Sequence, residues 1–151
     1  MQKQIKENLY EKCMQFVENQ IIASKKGIAD SQKAANEETK SSAGDKYETT
    51  RSMMQIEIEN YTKRLAESQK LQQILKQINF QNSYQMVVLG TLVVSNQGKF
   101  FMAIGIGKID LEKESYFVIS QNSPIGEKFH HKKVGESFEF HGKNFVVLEI
   151  Y

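Results

Sequence analysis

The sequence predicts an α+β protein in which two long helices form an antiparallel hairpin, followed by a small, mainly antiparallel β domain with one short helix. Three observations predict this fold: a coiled-coil seam in the first half, a change in composition near residues 79–83, and short apolar strands separated by turns in the second half. The expected domains are residues 1–80, with the hairpin tip near residues 40–48, and residues 83–151.

The second long helix is predicted by a seam whose members follow one another at alternating steps of four and three residues. This spacing averages about 3.5 residues, the period of a coiled coil. Its members are Met54, Ile58, Tyr61, Leu65, Ser68, Gln72 and Leu75. A weaker seam predicts the first helix, through Ile5, Leu9, Cys13, Phe16, Gln20, Ala23 and Gly27. Each arm, at about 35 residues, is expected to be about 50 Å long.

The turn between the helices is predicted from the mainly small residues at positions 40–44 (KSSAG). Two helices joined by so short a connection pack antiparallel. We therefore expect a hairpin that closes on itself, and hence a monomer. The alternative is a purely structural protein whose helices pair between two copies of the chain.

The second half is richer in the residues of a small β domain. Seven of the nine Phe and seven of the nine Gly lie after residue 82, which favours a separate core with turns. Strands are predicted at residues 86–89, 91–94, 100–104, 116–119, 137–141 and 144–150. Ser123 is a favoured N-cap and Pro124 suits the first helical position, so a short helix is expected to begin here and to end near Lys133.

Composition excludes several classes of protein. The 151 residues carry a net charge of only +2, too small a basic excess for a dedicated nucleic-acid binder. The single Cys13 excludes an intramolecular disulfide and fits a reducing compartment. No segment has the apolar run of a signal peptide or of a membrane-spanning helix. We therefore expect a cytoplasmic protein with no membrane partner.

Three stretches in the last third carry a resemblance to a known family. They are residues 119–126 (ISQNSPIG), 132–136 (KKVGE) and 145–150 (FVVLEI). Together they resemble the C-terminal domain of GreA/GreB-type transcription elongation factors. A further match is Gly44-Asp45 with Glu48, where the family carries its acidic tip, and the order of the two domains also agrees.

This resemblance implies a fold and a function. Gre-type factors have an N-terminal coiled coil and a C-terminal domain of FKBP-like fold. The globular domain docks on bacterial RNA polymerase, and the coiled coil enters the secondary channel. Its tip helps to hold the second Mg²⁺ of the polymerase active site and to activate water, so that a backtracked transcript is cut. The factor is therefore an accessory to the polymerase and not itself an enzyme. It holds no metal alone, has no cofactor of its own, and meets nucleic acid only through the transcription complex.

The resemblance assigns the tip carboxylates to Asp45 and Glu48. Two carboxylates three residues apart on a helix share one face, and Mg²⁺ prefers such oxygen ligands. The same spacing is also a capping box, in which Asp45 is the N-cap and Glu48 reaches back to it. Lys46 between the two acids, and residues 49–52 (TTRS) in place of the family's usual block, leave a second function open. That function is a regulator that binds the same channel without cleaving.

The resemblance assigns docking on the polymerase to one short stretch. Its members are Asn122, Ser123, Pro124, Ile125 and Gly126. The basic cluster that follows, at residues 128–133, would help docking or form a solvated helix face. His130 and His131 are adjacent and are expected to point in different directions, which disfavours a metal site.

An FKBP-like fold also raises the alternative of a prolyl isomerase. Such an enzyme needs an open pocket lined by aromatic side chains. The chain has no Trp, and its Phe residues are expected to form the core of a domain of only about 70 residues.

Overall fold

A computed structural model describes the backbone of residues 1–38 and 44–151, and the side chains of residues 1–37 and 48–151. Of the expected turn at residues 40–44, positions 40–43 lie outside the described residues, whereas the backbone of Gly44 is already helical. The side chain of Asp45 also lies outside the described residues. In the described part, two long helices precede a six-stranded mixed sheet, so the α+β class is confirmed.

The first half of the chain is almost entirely helical. Helix α1 (Gln2–Glu38) has 37 residues and α2 (Gly44–Lys76) has 33. At about 1.5 Å per residue they are about 55 and 50 Å long, close to the expected lengths. No helix among the described residues combines the length and the apolarity that crossing a bilayer requires.

The second half forms one sheet and one short helix. The elements are β1 (Leu92–Ser95), β2 (Gly98–Ala103), β3 (Gly107–Leu111), β4 (Glu114–Ser120), α3 (Pro124–Phe129), β5 (Ser137–Phe140) and β6 (Lys143–Ile150). The strand order is β3-β4-β2-β1-β6-β5. All neighbouring strands are antiparallel except β2 and β4, which pair in parallel. This is because β3 runs back toward the end of the sheet at which β2 begins, so that β4 starts from the same end as β2.

Two expected elements differ from the structure. Residues 86–89 form no strand, because the backbone of Val87 bonds outside the sheet, accepting from His131 N at 2.9 Å and donating to Lys132 O at 2.9 Å. The same bonds end α3 at Phe129, four residues before the expected Lys133. Strand β3 was not expected, since its alternation of Lys108 and Asp110 with apolar residues in only five positions is a weak signal.

Aromatic rings fill the core between α3 and the sheet. Phe129 is fully buried and its ring centroid lies 4.9 Å from that of Phe100 and 4.8 Å from that of Phe138. Phe138 in turn stacks on Phe145 at 5.1 Å. The expectation that the Phe residues form the core is confirmed for these four rings.

The described chain packs as two compact units. One comprises Met1–Met14 with Ile74–Tyr151, and the other comprises Gln15–Gln73. In the first unit, Lys6 is 5% exposed and donates from Nζ to the carbonyl oxygen of Tyr151 at 3.2 Å. Burial lowers the pKa of this lysine. The base of α1, residues 1–14, thus packs in the same unit as the sheet, which we call the β unit. The expected domain boundary near residue 80 stays a prediction.

The seam predicted for α2 is the protected face of that helix. Its seven positions are all buried or half-buried. The seam of α1 agrees at Leu9 and Cys13 but then moves by one residue, because Val17 is buried while Phe16 is 38% exposed. Farther along, Ser24 is buried instead of Ala23.

Candidate functional site

The two residues predicted to carry the tip carboxylates have their backbone in the first turns of α2. The helix begins at Gly44, one residue before the expected N-cap. Glu48 is exposed on this helix, and its backbone lies three residues after that of Asp45. An exposed carboxylate near a helix end is free to turn toward an external ligand, which is what a tip acid requires.

The predicted docking stretch is a tightly bonded connection from β4 to α3. Ser123 Oγ donates to Ser120 O at 2.6 Å and accepts from Gly126 N at 3.1 Å. The Ser123 N–H also reaches Ser120 O, at 3.1 Å. Ser123 has extended backbone angles, φ −70° and ψ 156°, and Pro124 follows at the first helical position. The N-cap predicted at Ser123 is therefore confirmed.

Gly126 has a steric role in this connection. A Cβ at this position would lie 2.0 Å from the carbonyl oxygen of Ser120 and 2.8 Å from Ser123 Oγ. No side chain fits there without moving the backbone. The glycine of the motif thus allows α3 to start directly against the end of β4.

The five residues predicted to dock differ in how exposed they are. Asn122 and Pro124 are exposed, whereas Ser123 is half-buried and Gly126 is buried. Ile125 is half-buried and packs against the aromatic core. The structure therefore brings all five together, but only the Asn122 and Pro124 side chains are fully available on the surface.

The basic cluster at residues 128–133 follows directly on the surface. Lys128, His130, His131 and Lys133 are exposed. The expectation that the two histidines point apart is wrong: their rings stack with centroids 3.7 Å apart. The cause is the positive φ of His131, 62°, which turns its side chain back over the preceding ring.

Sequence reasoning missed a charged network on the sheet. Glu114 accepts from Lys99 Nζ and from Tyr116 Oη, the latter at 2.9 Å. The hydrogen bond from Lys99, followed by that from Tyr116, lowers the pKa of Glu114. Burial, followed by the bond to Glu114, raises the pKa of Tyr116 to about 12. No local signal predicts this network, because Lys99 meets Tyr116 only through the parallel pairing of β2 with β4.

Sequence reasoning also missed the contacts between α1 and α2. Ser31 Oγ donates to Glu57 Oε2 at 3.1 Å, and Ser68 Oγ donates to Gln20 Oε1 at 3.4 Å. Gly27 faces the ring of Tyr61. The seam pattern marked Gly27, Ser68 and Tyr61 as facing inward but could not pair them, since pairing depends on the register of the two helices.

Within residues 1–37 and 48–151, no three His, Cys, Asp or Glu side chains are grouped so that they could hold a metal ion. No protein-family model matches the chain, and no curated protein and no solved structure gave a match.

Proposed function

We propose that this chain is a Gre-like transcription elongation factor, which binds bacterial RNA polymerase through its secondary channel and stimulates cleavage of backtracked transcripts. The observation that carries the proposal is the resemblance of residues 119–126 to the family's C-terminal domain. The capped turn that these residues form supports it, because the turn holds Asn122 and Pro124 exposed at the end of β4. The proposal places the protein in the cytoplasm, as a monomer.

The proposed fold has an antiparallel coiled-coil hairpin and an FKBP-like β domain. Contacts between the helices support the hairpin: Gln20 meets Ser68, Gly27 faces Tyr61 and Ser31 meets Glu57. Residues later in α1 therefore meet residues earlier in α2. That order is the one expected of antiparallel partners joined by a short connection.

Asp45 and Glu48 supply the proposed chemistry. Hard carboxylate oxygens suit Mg²⁺, and the ion, when bound in the polymerase, would activate a water molecule for attack on the transcript. The part of this chain is to present two oxygen ligands from one helix face. The exposure of Glu48 supports this role.

A transcript-cleavage assay on backtracked polymerase tests the tip. We expect Asp45→Asn and Glu48→Gln to lose most of the cleavage while polymerase binding persists, because an amide is a poorer Mg²⁺ ligand than a carboxylate. The matched control is Glu59→Gln, which neutralises an exposed acid farther along the same helix and should cleave normally.

Comparison with Asp45→Ala separates a metal ligand from a residue that only stabilises the start of α2. A carboxylate in the first turn stabilises a helix by about 0.3–1 kcal/mol through the helix dipole. If Asp45 acts only in this way, Asp45→Asn and Asp45→Ala both cleave like the wild type and both slightly lower the melting temperature.

Docking is tested on the exposed part of the β4–α3 connection. We expect Asn122→Ala combined with Pro124→Ala to weaken polymerase binding, with Lys143→Ala, an exposed change on β6, as the control. Ile125→Asp is a poorer test, because Ile125 packs against the core and the variant would also destabilise the fold. Wild-type affinity in the folded Asn122→Ala, Pro124→Ala variant would exclude this surface.

The second candidate is a regulator that binds the channel without cleaving. Lys46 favours it, because a cation between the two acids opposes recruitment of Mg²⁺. Polymerase binding by a wild-type protein that gives no cleavage would support this function. For the prolyl isomerase, the packing of Phe100, Phe129 and Phe145 argues against an open aromatic pocket, and we expect no activity on a proline peptide.

A further inference from the structure

We infer that Gly27 and Tyr61 are positioning residues, which set the register between α1 and α2. This register fixes the position of the tip carboxylates, Asp45 and Glu48, along the pair of helices. This inference rests on the proposed function, since it concerns where Asp45 and Glu48 are presented. Its physical basis lies in contacts within residues 15–73.

The ring of Tyr61 occupies space that only a glycine leaves open. A Cβ at Gly27 would lie 2.5 Å from Cε1 and Cζ of Tyr61 and 2.6 Å from its Cδ1. Gly27 is the only glycine in α1, so no other position of that helix accepts the ring in the same way. The ring therefore fits at one height along α1.

Polar contacts on both sides hold the same register. Toward the tip, Ser31 donates to Glu57 at 3.1 Å, and Ser31 is only 4% exposed. On the other side, Ser68, also 4% exposed, donates to Gln20 at 3.4 Å. Sliding the helices would remove the partners of these two buried serine hydroxyls, and an inward-facing polar residue is known to specify register in coiled coils.

Apolar packing alone would not hold this register. Between Gln20 and Ser31 the buried positions of α1 are Ser24 and Ser31, in place of large apolar side chains. A seam that repeats every seven residues accepts a slide of one heptad, which would move one helix by about 10 Å along the other. A carboxylate must come within about 2.1 Å of Mg²⁺ to bind it, so a slide of that size would remove the tip acids from the metal.

The test combines a steric block with a rescue. Gly27→Ala fills the space of the ring, although alanine is the better helix former, so any loss arises from the contact with Tyr61. We expect a fall in transcript cleavage of about tenfold or more, with polymerase affinity unchanged. Gly27→Ala with Tyr61→Leu removes the ring and should restore cleavage, whereas Gly27→Ala with Tyr61→Phe keeps the ring and should not.

The register is read directly in the protein alone. Spin labels on Glu18→Cys and Glu59→Cys, both exposed positions, report the distance between α1 and α2 in a Cys13→Ala background. We expect Gly27→Ala to shift the mean of this distance, or to widen its distribution, by several ångströms. Addition of Tyr61→Leu should restore the wild-type distribution. An unchanged distance would overturn the register assignment. A changed distance with wild-type cleavage would overturn its link to the tip.

The two readouts separate this inference from the proposed function. If the wild-type protein gives no cleavage, the proposed cleavage activity fails, and the spin-label distance still decides whether Gly27 and Tyr61 set the register.

Discussion

At Gly126 there is room for a hydrogen atom but not for a side chain, because a Cβ there would lie 2.0 Å from the carbonyl oxygen of Ser120. The sequence alone could predict the neighbouring N-cap, since Ser before Pro is a known helix start. It could not predict the need for glycine, because that need comes from the approach of a strand end to a helix. Local sterics thus explain the glycine of this motif, and the exposed Asn122 and Pro124 are the residues left for the proposed docking.

We expect Gly126→Ala to destabilise the protein by about 1–3 kcal/mol, the usual cost of an overpacked site. Urea unfolding of the whole chain measures the change in the free energy of unfolding. Gly105→Ala is the control, because a Cβ at Gly105 has no neighbour within 4 Å and should change the free energy little. Equal stability of the two variants would contradict the steric role of Gly126.

Cys13 should respond to alkaline pH. Burial raises the pKa of its thiol from 9.0 to about 12, so the thiolate forms more readily in the unfolded chain than in the folded one. Its contribution to stability is complete below pH 9.0 and is lost as the pH rises toward about 12. We expect a Cys13→Ala variant to show a flatter fall of the free energy of unfolding in this range.

The same burial makes Cys13 unreactive. Near neutral pH, a thiol reagent should modify the wild-type protein only after urea unfolds it. Rapid labelling of the folded protein would show that the thiol is accessible and would remove the reason for its raised pKa.

Among the elements, the two long helices and their lengths follow from the sequence, whereas details of their contact do not. Every predicted seam position of α2 is buried or half-buried, because one pattern of period about 3.5 is clear there. In α1, Phe16 and Val17 are both apolar, and only packing decides that Val17 faces inward. The missed β3 and the absent strand at residues 86–89 have a similar cause, since tertiary hydrogen bonds override weak local patterns.

The start of α3 gives an element-scale prediction. Ser123→Ala removes the acceptor for Gly126 N and the donor to Ser120 O, so we expect a loss of about 1 kcal/mol in the free energy of unfolding. Ser123→Asn keeps a side-chain cap and should lose much less. Equal losses from the two variants in thermal or urea unfolding would mean that the cap is not the source of the effect.

For the whole molecule, the first 14 residues of the helical half pack in the same compact unit as the sheet. Lys6 bonds to Tyr151, and the ring of Tyr10 lies edge-on to that of Phe80 with centroids 5.2 Å apart. The change in composition near residue 80 could not reveal this, because it marks where the sequence changes and not what packs together. The proposed assignment of tip carboxylates to Asp45 and Glu48 rests on the resemblance alone, and for Asp45 the structure describes only the backbone.

Mild proteolysis tests this organisation. We expect the first cuts in residues 41–44 or 79–83, leaving a fragment of residues 83–151. Because the first 14 residues pack with the sheet, this fragment should melt at a lower temperature than the same residues in the intact chain. Tyrosine fluorescence during thermal unfolding measures both melting temperatures. A first cut inside residues 92–104 would contradict the two-domain organisation, and an unchanged melting temperature would contradict the contribution of the helix base.

The bond between Lys6 and Tyr151 also orders events during synthesis. Its two residues are separated by 145 positions in the chain. A ribosome that adds about 5–20 residues per second needs about 7–30 s to pass from the first to the second. For most of that interval α1, which ends at Glu38, is complete, while β6, which pairs with β1 and begins at Lys143, has not yet been made. During synthesis the first 14 residues of the chain are therefore made long before the sheet residues that they contact, and the bond from Lys6 can form only after β6 has been synthesised.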